Sequence, residues 1–122
     1  MSTELATPMA DLDTLRRAIE QSDPELLISL YTDDAELKIV DRNYPPSKPY
    51  VLHGREAIAE YLHDISSRDM THHLEQAVLG QDHLAFTEAC RYADGTHVLC
   101  SSMLNLKAGK IAQQLNIQAW DE

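Results

Sequence analysis

The sequence predicts an α+β fold, with helices packed on one side of a mostly antiparallel sheet. Two observations lead to this prediction. The C-terminal fifty residues alternate between polar and apolar side chains in runs joined by short turns, as β-strands do. These runs are Thr71–Leu79, His83–Tyr92, Thr96–Leu106 and Lys110–Trp120. Three earlier stretches instead repeat apolar residues at helical spacing.

The N-terminal half is predicted to hold three helices and two further strands. The first helix spans Thr7–Gln21, with Thr7 as its cap and Pro8 in its first turn. Asp23 caps the second helix, and Gly54 opens the third, whose apolar stripe includes Tyr61. The remaining segments are a strand, a proline-rich surface loop and a short strand, at Ala35–Val40, Asp41–Tyr50 and Val51–His53.

Length and charge limit the function classes. The 122 residues suit one domain, here residues 7–122 after a tail of residues 1–6. The net charge of −10 argues against nucleic acid or anionic membranes as partners, because phosphate binding needs clustered Lys and Arg. No apolar run is long enough to span a membrane, and the N-terminus has no signal-peptide pattern, so we expect a cytoplasmic protein.

Turn chemistry predicts which residues lie side by side in the sheet. If Asp94-Gly95 and Ala108-Gly109 are both two-residue loops, Glu88 faces Ser101 and Ser101 faces Asn116. The same face then carries larger apolar and amide side chains, which are Phe86, Leu99, Met103, Gln118 and Trp120. The opposite face is smaller and more uniformly apolar. A bulge in either hairpin would exchange the faces of a strand.

The mixture of aromatic, amide and carboxylate groups on one face suits a ligand pocket. Either two-residue loop before the second strand run places His73 and Glu75 on the same face as Glu88, where His73 and Glu88 could form an acid–base pair. Alternatively, backbone or water satisfies His73, and Ser101 or Asn116 holds Glu88. Ser101, Asn116 and Gln118 could orient a ligand carbonyl, or they could bond one another. Tyr31 and Tyr61 could lend hydroxyls to the pocket mouth or serve only in core packing.

Other chemistries have less support. Cys90 and Cys100 point to opposite faces in this register, so we expect free thiols, although a one-residue shift would make them neighbours. His72 and His73 are adjacent and must also point apart, and no metal-ligand spacing occurs, so we expect neither metal nor cofactor. A Ser-His-Glu hydrolase is disfavoured because there is no nucleophile-elbow pattern.

Short segments along most of the chain resemble the nuclear transport factor 2-like superfamily, in particular its SnoaL-like and ketosteroid-isomerase-like branches. The segments are residues 18–27, Leu30-Tyr31-Thr32-Asp33-Asp34-Ala35, His53-Gly54-Arg55-Glu56-Ala57-Ile58, Tyr92-Ala93-Asp94-Gly95 and residues 106–111. The resemblance implies a strongly curved sheet wrapped around the helices as a cone, with a pocket at its wide end. It also implies homodimers formed through the outer sheet face.

The resemblance carries over few site residues. In the isomerase branch the catalytic base is an Asp, where this chain has Ile39 or a neighbour. The oxyanion hole of that branch uses a Tyr, where this chain has Leu15, and a protonated Asp, where this chain has Ser101 (or Ser102 with a gap). Steroid isomerisation by that mechanism is therefore not expected. Phe86 and Trp120 match aromatic pocket positions of the family, and His73 matches the catalytic histidine of scytalone dehydratase, whose partner acid is not evident here.

Together these inferences predict a protein that binds or converts a small, largely apolar organic molecule. Cofactor-free proton transfer, in an isomerisation, dehydration or cyclisation, is the reaction that fits. His73 is the expected proton carrier and Glu88 its partner or the alternative base, with Ser101 and Asn116 as carbonyl-orienting donors. The alternative is a non-catalytic dimeric domain for ligand sensing or protein interaction.

Overall fold

The computed structural model describes residues 9–121, which form three helices and one six-stranded sheet. In chain order the elements are α1 (Leu12–Glu20), α2 (Pro24–Ser29), β1 (Tyr31–Val40), β2 (Tyr50–His53), α3 (Arg55–Ser66), β3 (Met70–Leu79), β4 (His83–Tyr92), β5 (His97–Lys107) and β6 (Lys110–Trp120). This confirms the predicted α+β class and element order.

The sheet is curved and open, with the strand order β2-β1-β6-β5-β4-β3. All neighbouring strands are antiparallel except β1 and β6, which run parallel. Apolar side chains of the helices and of one sheet face form the main core, in which Leu30, Ile58 and Leu104 are fully buried. We call this covered face the inner face and the opposite one the outer face.

The first helix begins later than predicted. The Asp11 side chain accepts a hydrogen bond from Thr14 N at 2.8 Å, so Asp11 is the cap and α1 starts at Leu12. Ala10 N donates to Gly109 O at 2.8 Å, which ties the segment before the helix to the β5–β6 turn. The predicted cap Thr7 and Pro8 lie outside the described residues.

The first predicted hairpin register is wrong by one residue. Arg91 pairs with His97 and Glu88 with Cys100, not with Ser101. The cause is a three-residue loop, Ala93-Asp94-Gly95, closed by a hydrogen bond of 2.9 Å from Tyr92 N to Thr96 O. Gly95 takes the positive φ of +94° that such a loop needs at its last residue.

The second hairpin has the predicted two-residue loop and then an irregularity. Ala108 and Gly109 both have positive φ, as a type I′ turn requires, and Lys107 pairs with Lys110 as predicted. A bulge at the Asn105/Leu106 step then shifts the register by one residue, so Ser102 faces Asn116. The two shifts together exchange the faces of β5 and leave those of β4 and β6 as predicted.

A further bulge changes the outcome for the adjacent histidines on β3. The β3–β4 ladder starts from a Gln81-Asp82 loop, one of the two predicted choices, with Leu79 paired to Leu84. The register then shifts between Leu74 and Gln76, which leaves Glu75 unpaired. His72, rather than His73, therefore shares the inner face with Glu88.

The helices also bear on the membrane question. In the part of the chain that the structure describes, no helix has the length and apolar character to cross a bilayer.

Candidate functional site

A cavity of about 980 Å³ lies between the helices and the inner face of the sheet. Its apolar wall comes from α1, β1 and the middle of the sheet, with Leu15, Leu37, Phe86 and Leu104 among the lining residues. Its polar groups come from β3 to β6 and also from the helices and loops. A cavity of this volume, with both apolar and polar walls, is of the size that small-molecule sites have.

A carboxylate, an imidazole and a thiol meet on this wall. His72 Nδ1 lies 2.8 Å from Glu88 Oε2, and Cys90 Sγ donates to the same oxygen at 3.1 Å. Glu88 and Cys90 are two residues apart on β4, and His72 pairs with Cys90 across the ladder, so the sheet itself brings the three together. The His72 and Glu88 side chains are only 8% and 14% exposed.

The second Glu88 oxygen, Oε1, is open to the cavity. No described residue hydrogen-bonds to it, whereas Oε2 accepts two bonds. Among the described residues no side-chain oxygen or nitrogen is both sealed from solvent and without a partner, so Oε1 is accessible. Glu88 lines the cavity. One oxygen is thus anchored, and the other is free to accept a proton or a hydrogen bond.

Both cysteines are free, buried and turned toward the cavity, contrary to the expectation that they point to opposite faces. The one-residue shift of β5 makes them diagonal neighbours. A hydrogen bond with Cys100, then burial and the charge of Glu88, raise the pKa of the Cys90 thiol well above its ordinary value. Cys90 therefore stays protonated and remains a donor to Glu88.

This raised pKa predicts slow modification of Cys90 in the folded protein. Because only the thiolate reacts with iodoacetamide, we expect Cys90 to be alkylated much more slowly at pH 8 in buffer than in urea. Peptide mass spectrometry over time would measure both rates. Equal rates in the two conditions would contradict the buried, protonated thiol.

The same three side chains are the donor set in the described chain that could hold a metal ion. The ligand atoms of His72, Glu88 and Cys90 lie within 4.8 Å of one another. Nitrogen, oxygen and sulfur together would suit Zn²⁺ rather than Mg²⁺ or Ca²⁺. The hydrogen bonds among the three also satisfy them without an ion.

A second set of polar side chains forms a row of hydrogen bonds along the inner face of β6, which we call the β6 ladder. Trp120 Nε1 donates to Gln118 Oε1 at 3.0 Å, and Gln118 Nε2 donates to Asn116 Oδ1 at 2.9 Å. Asn116 Nδ2 then donates to Ser102 Oγ at 2.7 Å. From the other end, Gln114 Nε2 donates to Ser102 Oγ at 3.1 Å.

Two tyrosines complete this ladder. The Tyr31 hydroxyl is hydrogen-bonded to Gln114 Oε1, and Gln118 Nε2 lies 3.5 Å from the Tyr61 hydroxyl. Burial raises the pKa of Tyr31 above its usual range and that of Tyr61 to about 12. Both phenols are therefore neutral at physiological pH and can donate hydrogen bonds.

Aromatic and charged residues surround the cavity mouth. Trp120 stacks on Tyr92 with ring centroids 5.6 Å apart, and the Arg42 guanidinium lies 4.1 Å from the Trp120 ring centroid. Arg68 donates to the Tyr92 hydroxyl at 2.7 Å. Tyr50 stacks on Tyr44 in the proline-rich loop, which lines one side of the mouth.

The structure brings most of the predicted site residues to the cavity. These are Tyr31, Tyr61, Phe86, Glu88, Asn116, Gln118 and Trp120. The face prediction is wrong for Leu99, Ser101 and Met103, which lie on the outer face because β5 is shifted by one residue. It is also wrong for His73, whose side chain is 68% exposed and contacts Glu20 at 3.1 Å.

Sequence reasoning missed His72, Cys100 and Ser102 as cavity residues. For Cys100 and Ser102 a signal was present, because Ala93-Asp94-Gly95 also fits a three-residue loop with glycine at its positive-φ position. That choice would have turned both side chains inward. No local pattern indicated the bulge beside Glu75 that selects His72 over His73.

Comparison with solved structures supports the fold. An NTF2-like protein of unknown function from Mesorhizobium loti superposes with a TM-score of 0.77 at 16% identity, over 88% of this chain and 87% of that one. A candidate ketosteroid isomerase from Kribbella flavida gives 0.73 at 12% identity, over 90% and 74%. A candidate isomerase from Rhodopseudomonas palustris gives 0.65 at 18% identity, over 87% and 84%.

No functionally curated protein matches the sequence significantly. The sequence model of the SnoaL-like domain, however, matches residues 12–114, which include every helix and all but the last residues of the sheet. That span exceeds half of the chain, and the superposed structures share its fold. The chain therefore belongs to the SnoaL-like domain family.

Proposed function

We propose that the protein binds a small, largely apolar ketone in the cavity and moves a proton at the carbon next to the carbonyl. The observation that carries the proposal is Glu88, a carboxylate anchored through one oxygen, whose other oxygen faces the cavity. A positioned carboxylate of this kind can remove and return a proton without a cofactor. The net reaction would be an isomerisation or a related cofactor-free step.

The groups around Glu88 have separate parts in this proposal. Glu88 Oε1 accepts the proton from the carbon, and the electron pair of that C–H bond passes to the carbonyl oxygen as an enolate forms. Donors on β5 and β6 stabilise that oxygen. His72 and Cys90 hold the carboxylate in place through Oε2. In this proposal Glu88, not a histidine, carries the proton, and His72 takes the place beside Glu88 that the sequence analysis gave to His73.

Two of the superposed proteins are candidate isomerases, which agrees with this reaction class. Proton transfer can be tested with 2-tetralone, an apolar bicyclic ketone whose C–H bonds beside the carbonyl are acidic. In D₂O, NMR would follow exchange of these protons for deuterium. We expect the protein to accelerate exchange well above buffer. Binding of 2-tetralone without faster exchange would instead favour the non-catalytic ligand-sensing alternative.

We also propose that the protein is a homodimer formed through the outer sheet face. Leu99 and Met103 on β5 are 51% and 53% exposed in the single chain, and Ile117 on β6 is exposed beside them. Few large apolar side chains stay exposed together on a soluble monomer unless a partner covers them. In a two-fold dimer the same patch would cover itself.

A single charge should test this dimer. We expect Met103→Glu to convert a dimer into a monomer, because two copies of the new carboxylate would be buried near each other. Sedimentation velocity would measure the change, and Glu75→Gln, which leaves the outer face of β5 intact, would serve as control. A wild-type monomer at all concentrations would contradict the proposal.

A further inference from the structure

The indole of Trp120 determines the direction of the β6 ladder. An indole N–H can donate but cannot accept, so Gln118 must turn its oxygen toward Trp120. Its amide nitrogen is then the donor to Asn116 Oδ1. Asn116 is left with only its own nitrogen for Ser102, to which it donates at 2.7 Å.

Ser102 Oγ receives hydrogen bonds from two sides. Asn116 Nδ2 and Gln114 Nε2 both donate to it, and a hydroxyl oxygen has two acceptor positions. Only the hydroxyl proton of Ser102 is left to form a further hydrogen bond. No described residue accepts that proton, and Ser102, although 1% exposed, lines the cavity. The hydroxyl can therefore act toward a ligand only as a donor.

We propose that Trp120 is a positioning residue that, through Gln118 and Asn116, makes Ser102 a dedicated donor to a ligand oxygen. The inference rests on the proposed function and deepens it by naming the group that recognises the ketone oxygen. Donors linked in series polarise one another, which strengthens the last bond. Ser102 and Glu88 are diagonal neighbours in the β4–β5 pairing, and residues in such positions are about 7–8 Å apart. One small ketone can reach both.

A matched pair of ligands tests this inference. Tetralin is 2-tetralone with a methylene group in place of the carbonyl, so the ratio of their dissociation constants isolates the recognition of oxygen. We expect Ser102→Ala to lower the preference for the ketone by about tenfold and Trp120→Phe by about threefold. Trp120→Phe keeps an aromatic ring at the mouth but frees the amides to turn. Ser101→Ala is the control, because it makes the same change one residue away, on the outer face of β5.

Infrared spectroscopy adds a readout that a structural role would not move. The carbonyl stretching frequency of carbonyl-¹³C-labelled 2-tetralone should be lower when the ketone is bound to the wild type than when it is free. It should be higher in Ser102→Ala and Trp120→Phe than in the wild type. Equal selectivity in wild type and Trp120→Phe, or an unshifted carbonyl, would overturn the inference and leave ligand binding intact. If neither ligand binds the wild type, both this inference and the proposed function fail.

Discussion

Replacing Glu88 with glutamine is expected to lower the rate of 2-tetralone exchange by about 100-fold or more, the usual contribution of a positioned base. Glutamine preserves the shape of the side chain and an oxygen that accepts bonds from His72 and Cys90. It cannot take up a proton from carbon. The dissociation constant for 2-tetralone should therefore change much less than the exchange rate. NMR exchange and a binding titration on the same protein would separate the two effects.

The chain offers matched controls for this experiment. Glu75→Gln makes the same chemical change at the exposed β3 bulge and should leave exchange unchanged. His72→Gln should slow exchange because it removes a group that positions Glu88, whereas His73→Gln, one residue away on the exposed side, should not. Equal exchange rates in Glu88→Gln and wild type would refute Glu88 as the base.

Leu104→Ala should destabilise the protein by about 2–5 kcal/mol, the range for truncating a fully buried leucine. Leu104 is 2% exposed on the inner face of β5, where its removal would leave a void beside Phe86. Urea denaturation followed by circular dichroism would measure the free energy of unfolding. The same variant should also weaken 2-tetralone binding, since Leu104 lines the cavity.

Leu99→Ala is the matched control, because it makes the same truncation on the outer face of the same strand. At protein concentrations low enough to keep the chain monomeric, we expect a loss below about 1 kcal/mol. This pair distinguishes the two registers directly. A larger loss for Leu99→Ala than for Leu104→Ala would mean that β5 has the faces the sequence analysis predicted.

The fold was predictable because its signals are long and repeated. Four alternating runs with glycine turns define β3 to β6, and apolar stripes with caps at Asp23 and Gly54 define α2 and α3. The start of α1 was misplaced, since Asp11 competes with Thr7 as a cap and in fact makes the bond to Thr14. The first strand was also predicted too short, because β1 begins at Tyr31 and not at Ala35. Element type depends on many residues at once, so a single local error does not change it.

The site was less predictable because a side chain's face depends on single-residue events. One extra residue in the Ala93-Asp94-Gly95 loop and one bulge between β5 and β6 decide whether Ser101 or Ser102 faces inward. One bulge between β3 and β4 decides whether His73 or His72 does. Bulge positions depend on packing between distant elements, which a sequence does not display. Phe86, Glu88, Asn116 and Trp120 were placed correctly because β4 and β6 kept their predicted faces.

The central claim is that a small ketone binds inside the curved sheet, against Glu88 and Ser102. NMR on protein with labelled leucine and methionine methyl groups would locate bound 2-tetralone through magnetisation transfer between ligand and methyl protons. The account predicts transfer to Leu104 on the inner face and none to Leu99 or Met103 on the outer face. Transfer to Leu99 and Met103 without transfer to Leu104 would contradict it.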